Sequence, residues 1–179
     1  MNSVENPFRN TVEEHHDFQV TLGIANAFDK MAWVAQPDGC VVHCNQHWCN
    51  YTGMTLDQAT GAGWISAVHS DDVPLCVEHR SNALLAGEPY KNECRLLRAD
   101  GAYRWHLCLG MPVRNVQGEI TRWFGICRDI EDYVRTQRVI QDSYEKHKQQ
   151  LLTYFSALAA SNVRLAQENV KLIQAVFSI

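Results

Sequence analysis

No stretch of this chain approaches the roughly 20 consecutive apolar residues that cross a bilayer, and the acidic, polar segment from Met1 to Val20 lacks the apolar core of a signal peptide. The chain is therefore expected in the cytoplasm and away from a membrane. It has no CxxC pair, and its 7 cysteines, at positions 40, 44, 49, 76, 94, 108 and 127, are odd in number and fall in or beside expected strands and helices. They read as reduced thiols, mostly small core hydrophobes. Basic excess is missing too: 16 Lys and Arg against 20 Asp and Glu leave a formal charge of -4, which supplies no footprint for nucleic acid. From Glu131 to Ile179 there is neither Gly nor Pro, so a continuous helix is the economical reading. What is present, 46% hydrophobic and 20% charged residues over 179 positions, suits one buried core with an attachment.

Three zones follow. Residues 1–30 form a tail in which Phe18, Leu22, Ala25 and Phe28 are spaced for an amphipathic helix. Residues 31–130 hold every cysteine, all 5 tryptophans and nine of the 10 glycines, and form the globular zone. Turn signals at Pro37-Asp38-Gly39 and Ala99-Asp100-Gly101 divide it. Met31 to Ala35 and Cys40 to Cys44 read as a hairpin; short helices follow, capped by Asn45 and Thr55, with another over Trp64 to Val68. A longer helix opens at Ser70 or Asp71, carries Asp71 and Asp72 in its first turn, and ends near Gly87. Lys91 to Arg98, Tyr103 to Pro112 and Ile120 to Asp129 read as three further strands. This order predicts an α+β fold, a five-stranded antiparallel sheet with short helices on one face.

Residues 131–179 carry a third pattern. Leu151, Phe155, Leu158, Asn162, Leu165, Asn169, Leu172 and Val176 follow the 4-3 spacing of a coiled-coil seam, with Asn162 and Asn169 at a positions, where a buried Asn fixes register and favours a parallel pair. Tyr133, Gln137, Ile140, Tyr144 and His147 continue it backwards and join through a stutter at Leu151 to Phe155. A homodimer through this helix is expected.

Asp38-Gly39-Cys40-Val41-Val42-His43-Cys44-Asn45, Tyr51-Thr52-Gly53, Trp64, His69-Ser70-Asp71-Asp72, Gly87-Glu88-Pro89-Tyr90, Arg95 to Gly101, Tyr103-Arg104-Trp105 and Trp123 to Ile130 together resemble a PAS domain with its C-terminal PAC half. The resemblance covers about 100 residues. It implies a sensory domain without catalytic machinery, feeding its last strand through a junction at Asp129 and Ile130 into a signalling helix. Light-oxygen-voltage members carry a photoreactive cysteine before the long helix; Gly61-Ala62-Gly63-Trp64-Ile65 has none, and Cys127 stands where such domains keep a glutamine. Flavin photochemistry of that kind is not expected.

For the cavity that the resemblance implies, the candidates are Trp64, Cys76, His79, Arg80, Arg95 and Cys127. Haem would need an axial ligand from His79, Cys76 or His69. Arg80 shares a helical face with Val73, Cys76, Ala83 and Leu84, where it must snorkel, pair with an acid or hold a ligand anion. No nucleophile-base-acid set emerges, no His or Cys set has zinc spacing, and 179 residues leave no room for an ATP-binding domain, so no enzyme activity is expected. The ligand, cofactor and effector stay open. The readings are a sensor of a small ligand, redox state or partner, a ligand-free dimerisation scaffold, a haem-based gas or redox sensor, and an input fragment of a longer histidine kinase or cyclic-dinucleotide enzyme.

Overall fold

The computed structural model describes residues 19–177, so Phe18 lies outside the described residues. The chain divides into two compact units that part after Glu131.

The first unit is built on one sheet. Its strands are β1 (Met31–Ala35), β2 (Val41–Cys44), β3 (Tyr90–Leu97), β4 (Tyr103–Arg114) and β5 (Ile120–Asp129). They lie in the order β2-β1-β5-β4-β3, with every neighbouring pair antiparallel. β1 is an interior strand, buried along its length, which is why it reads as an unbroken apolar run. Met31, Trp33 and Ala35 face the main core, while Ala32 and Val34 face the opposite side of the sheet. There a helix over residues 19–27, α1, buries Ala25 and, with Leu22 and Phe28, packs against Val42, Phe124 and Ile126. One side chain holds this layer. Asn45 is 1% exposed; its Nδ2 donates to the carbonyls of Ala25 and Lys30 at 2.9 and 2.8 Å, and its Oδ1 accepts from Ala32 N–H at 3.1 Å and caps the next helix at Trp48 N–H.

Helices cover the inner face. They are α2 (Gln46–Thr52), α3 (Leu56–Ala59), a 3-10 turn (Gly63–Ala67) and α4 (Val73–Ala86). Thr55 opens α3 with a reciprocal capping box to Gln58, and Gly87 closes α4 in the left-handed conformation at φ 69°. The start of α4 departs from expectation: Asp71 and Asp72 precede the helix instead of lying in its first turn. Asp72 makes no cap and binds Arg95, whose Nε and Nη2 donate to its carboxylate at 2.9 and 2.7 Å. A bidentate charged pair outweighs a single cap bond.

The second unit is helical. α5 (Glu131–Phe177) follows β5 directly, 47 residues long and without a buried side chain. At 1.5 Å per residue it extends roughly 70 Å. Among the described residues no helix is long and apolar enough to cross a membrane.

Candidate functional site

Between the inner face of the sheet and the helices lies a cavity of about 40 Å³. Strand alternation decides its wall. On β3, Tyr90, Asn92, Cys94 and Leu96 point in, and Lys91, Glu93, Arg95 and Leu97 point out; Cys108 of β4 and its register partner Cys127 of β5 continue the inner row. β1 and β2 add Trp33, Val41 and Cys44, α2 adds Trp48, the 3-10 turn adds Trp64, and α4 adds Cys76 and Arg80.

Two register-paired glycines make room for the aromatic end. A Cβ on Gly125 would stand 2.1 Å from the Trp33 ring, and one on Gly110 would stand 2.3 Å from the Tyr90 ring. With nothing there, Trp33 and Tyr90 lie flat on the sheet and stack on each other at 6.4 Å. The opposite end is a row of thiols. Cys94 Sγ lies 3.9 Å from Cys108 Sγ, and Cys76 and Cys127 extend the row on either side. Contact between thiols and burial push Cys76 up, and Cys108 is held well above the ordinary thiol range by Cys127 and by burial. Burial, with Cys49 beside it, pushes Cys44 up to about 12. Protonated thiols are poor nucleophiles, so this wall behaves as an apolar, polarisable surface.

Arg80 is the single charge on the wall among the described residues, and it is 8% exposed. Its guanidinium lies over Trp33 at 5.3 Å and Trp64 at 4.8 Å, and its Nη2 donates to the carbonyl of Gly39. It neither snorkels to solvent nor meets an acid; the two indole faces and one carbonyl take the place of both. Burial lowers its pKa from the usual arginine value.

Trp64, Cys76, Arg80 and Cys127 thus line the cavity as the sequence suggested, but two candidates do not. Arg95 sits on the outward row of β3, bound to Asp72 and lying over Trp105 at 5.4 Å. His79 is exposed on α4, its Nδ1 2.6 Å from Asn92 Oδ1. His69, another haem candidate, stands edge-on to Tyr103 at 4.7 Å and is not on the wall. A cavity of about 40 Å³ is far below the ~300–1,000 Å³ that drug-sized ligands occupy. Of the three haem candidates only Cys76 stands on the wall, and the space is smaller than a flavin or a haem. Among the described residues no group of three or more His, Cys, Asp or Glu is placed to hold a metal ion.

Sequence reasoning also missed Trp33, Tyr90, Asn92, Cys94, Cys108 and His106. The period of two along β3 and β4 carries most of that signal. His106 is 0% exposed; its Nδ1 donates to the Arg104 carbonyl at 2.9 Å, and its buried Nε2 meets no hydrogen-bond partner among the described residues. The ring stands edge-on to Tyr51 at 4.8 Å.

Two residues beyond Cys127 the sheet passes into α5. Arg104 Nε donates to Asp129 Oδ2 at 2.6 Å, and Asp129 Oδ1 accepts from the Glu131 N–H at 2.9 Å. Ile130 N–H donates to the Trp105 carbonyl at 2.8 Å, and Trp105 N–H donates to Glu131 Oε2 at 2.9 Å. The helix start is therefore stitched to β4 in both directions. Burial works to raise the Asp129 carboxyl, but the Arg104 guanidinium and the Glu131 N–H outweigh it and hold the group below the usual carboxylate range.

Residues 41–127 match the PAS fold family. A protein of Sinorhizobium fredii, y4lL, is 32% identical over 130 residues, and the peroxide stress-activated histidine kinase mak1 of Schizosaccharomyces pombe is 28% identical over 132 residues. These alignments cover 73% and 67% of this chain but 15% and 8% of the two relatives. Among solved structures, a light-oxygen-voltage domain studied with a flavin analogue superposes with TM-score 0.56 at 19% identity, over 73% of this chain and 98% of that one. The N-terminal domain of a diguanylate cyclase with a PAS/PAC sensor from Marinobacter aquaeolei gives 0.51 at 19%, over 57% and 96%. An RNA-binding light-oxygen-voltage receptor gives 0.59 at 20%, over 80% and 40%. At these identities the structures speak to the fold.

Proposed function

We propose, on the premise that residues 41–127 form a PAS domain, that this chain is a sensory module whose cavity takes a small ligand and whose α5 carries the response to an effector through a homodimer. The observation that carries this reading is the junction. Cys127 of the cavity wall and Asp129 of the helix cap lie on one strand, two residues or roughly 7 Å apart. A shift of β5 against β4 strains the Arg104–Asp129 and Trp105–Glu131 bonds, and hence the first turn of the helix.

The dimer is argued from exposure. Leu151, Phe155, Leu158, Leu165, Leu172 and Val176 are each 44–69% exposed on α5, and an isolated helix gains little from propensity alone. A second copy in register buries the whole seam and pairs Asn162 with Asn162 and Asn169 with Asn169. The module itself performs no chemistry in this reading; catalysis belongs to the effector. Sedimentation of the full chain beside a version ending at Glu131 tests it. A dimer that becomes a monomer on truncation is expected, and a full chain that stays monomeric at every concentration overturns the proposal.

The small cavity favours a second reading, a ligand-free dimerisation scaffold. Native mass spectrometry of the purified protein separates the two: a retained small molecule supports sensing, and a bare chain that no added compound shifts supports the scaffold.

A further inference from the structure

Two spaces meet at one side chain. The enclosed cavity lies on one side of Arg80 and Trp64. On the other lies an open cleft of about 370 Å³ between the β1–β2 turn at Gly39, the approach to the 3-10 turn at Ala62, and α4 at Val77 and Leu84. Arg80 and Trp64 line both spaces. A guanidinium has five N–H donors in a planar fork, and Arg80 spends one bond on Gly39. Among the described residues no carboxylate stands on the cavity wall; Asp38, at the cleft, accepts from Cys40 N–H at 2.8 Å and not from Arg80. A buried cation without an anion is costly unless something supplies one. A second polar group points the same way: the indole N–H of Trp48, a residue of the cavity wall, is buried without an acceptor among the described residues.

We propose that cleft and cavity together form a binding site for a short-chain aliphatic monocarboxylate, its carboxylate on the Arg80 fork between Trp33 and Trp64 and its alkyl end in the thiol-lined cavity. Size and charge narrow the class. About 40 Å³ holds roughly three water-sized groups, which suits a tail of a few carbons. Among the described residues the wall offers no second cation, so a dicarboxylate would leave a buried anion unpaired. The thiols with Val41, Val68 and Leu96 make most of the wall apolar, which suits an alkyl tail. Ligand that takes the Arg80 fork competes with the Gly39 carbonyl, which ties occupancy to the β1–β2 turn.

This proposal rests on the sensory reading, and titration calorimetry on the full chain tests it with butyrate, its neutral isostere butyramide, and succinate. Butyrate is expected to bind at least about ten-fold more tightly than butyramide or succinate, the margin of a charge-assisted hydrogen-bonded pair. Arg80→Gln should remove that preference and Arg80→Lys should keep part of it, with circular dichroism confirming that both fold. Equal binding of butyrate and butyramide by the unaltered chain overturns the carboxylate assignment while leaving a ligand-binding sensor standing. Butyrate binding that survives Arg80→Gln moves the anion site elsewhere and overturns it too. No binding of any of the three at millimolar concentration overturns the assignment and leaves the sensory role to the native mass measurement, whereas a monomeric chain that still prefers butyrate removes only the dimeric output.

Discussion

His106 shows how one residue can set a property of the fold. It is wholly enclosed, donates from Nδ1, stands edge-on to Tyr51 and leaves Nε2 buried without a partner among the described residues, so the neutral ring is the one the fold accepts. Burial depresses its pKa below 6.5, with Asp129 partly opposing. Because the folded value lies below the unfolded one, the unfolded chain binds more protons in between, and the stability contribution is complete above about pH 6.5 and declines as pH falls. His43, lowered by partial burial, adds to the same slope. A melting temperature that falls between pH 7 and pH 5 is expected, with a shallower fall in His106→Phe, which removes the proton site and keeps a ring beside Tyr51; an identical slope in both proteins would assign the loss to His43. Asn45 offers a second residue-level test. Asn45→Ala removes one bond to α1 at Ala25, one to the Lys30 carbonyl just before β1, one to β1 and the α2 cap, and a cost of about 3 kcal/mol or more in urea unfolding is expected from that many buried partners.

At the scale of elements, the sheet works because two of its strands lack side chains where the aromatic rings lie. Gly125→Ala puts a methyl into the Trp33 ring and against the Leu109 carbonyl, neither of which can retreat far in a central strand. Destabilisation of about 1–3 kcal/mol is expected, together with a changed tryptophan emission as Trp33 is forced toward Arg80. Equilibrium denaturation followed by fluorescence reads both. The start of α5 makes a separate case. Asp129 holds the helix through an N–H and a guanidinium, so its stabilisation is present above the unfolded carboxylate pKa near ~3.9 and is lost as pH falls through its lower folded value. Asp129→Asn should fray the first turn of α5 at pH 7, seen as faster amide exchange at residues 131–134 with the sheet amides unchanged.

For the whole molecule, the question is what covers a 47-residue helix that buries none of its own side chains. If a second copy does so, the paired Asn162 and Asn169 restrain register at some cost in stability. Replacing both with Ile should raise the melting temperature of the dimer and broaden its assembly toward higher oligomers, read by sedimentation equilibrium. An unchanged molecular mass and melting temperature would show that these positions are not in a seam.

The linear pattern determined the strand and helix order, the turns at Asp38-Gly39 and Asp100-Gly101, the caps at Asn45 and Thr55, and the uninterrupted final helix, because each is governed by interactions within a few residues. The family resemblance was legible in the same local motifs. Tertiary structure alone decided which polar groups share a space. Arg95 is claimed by Asp72, 23 residues away, so it leaves the cavity, and Asp72 stands before the helix instead of in the first turn where it was expected. Arg80 stays inside because Trp33, Trp64 and the Gly39 carbonyl come together from three separate elements to receive it. Pairings of that kind depend on long-range closure of the sheet, and no local periodicity encodes them.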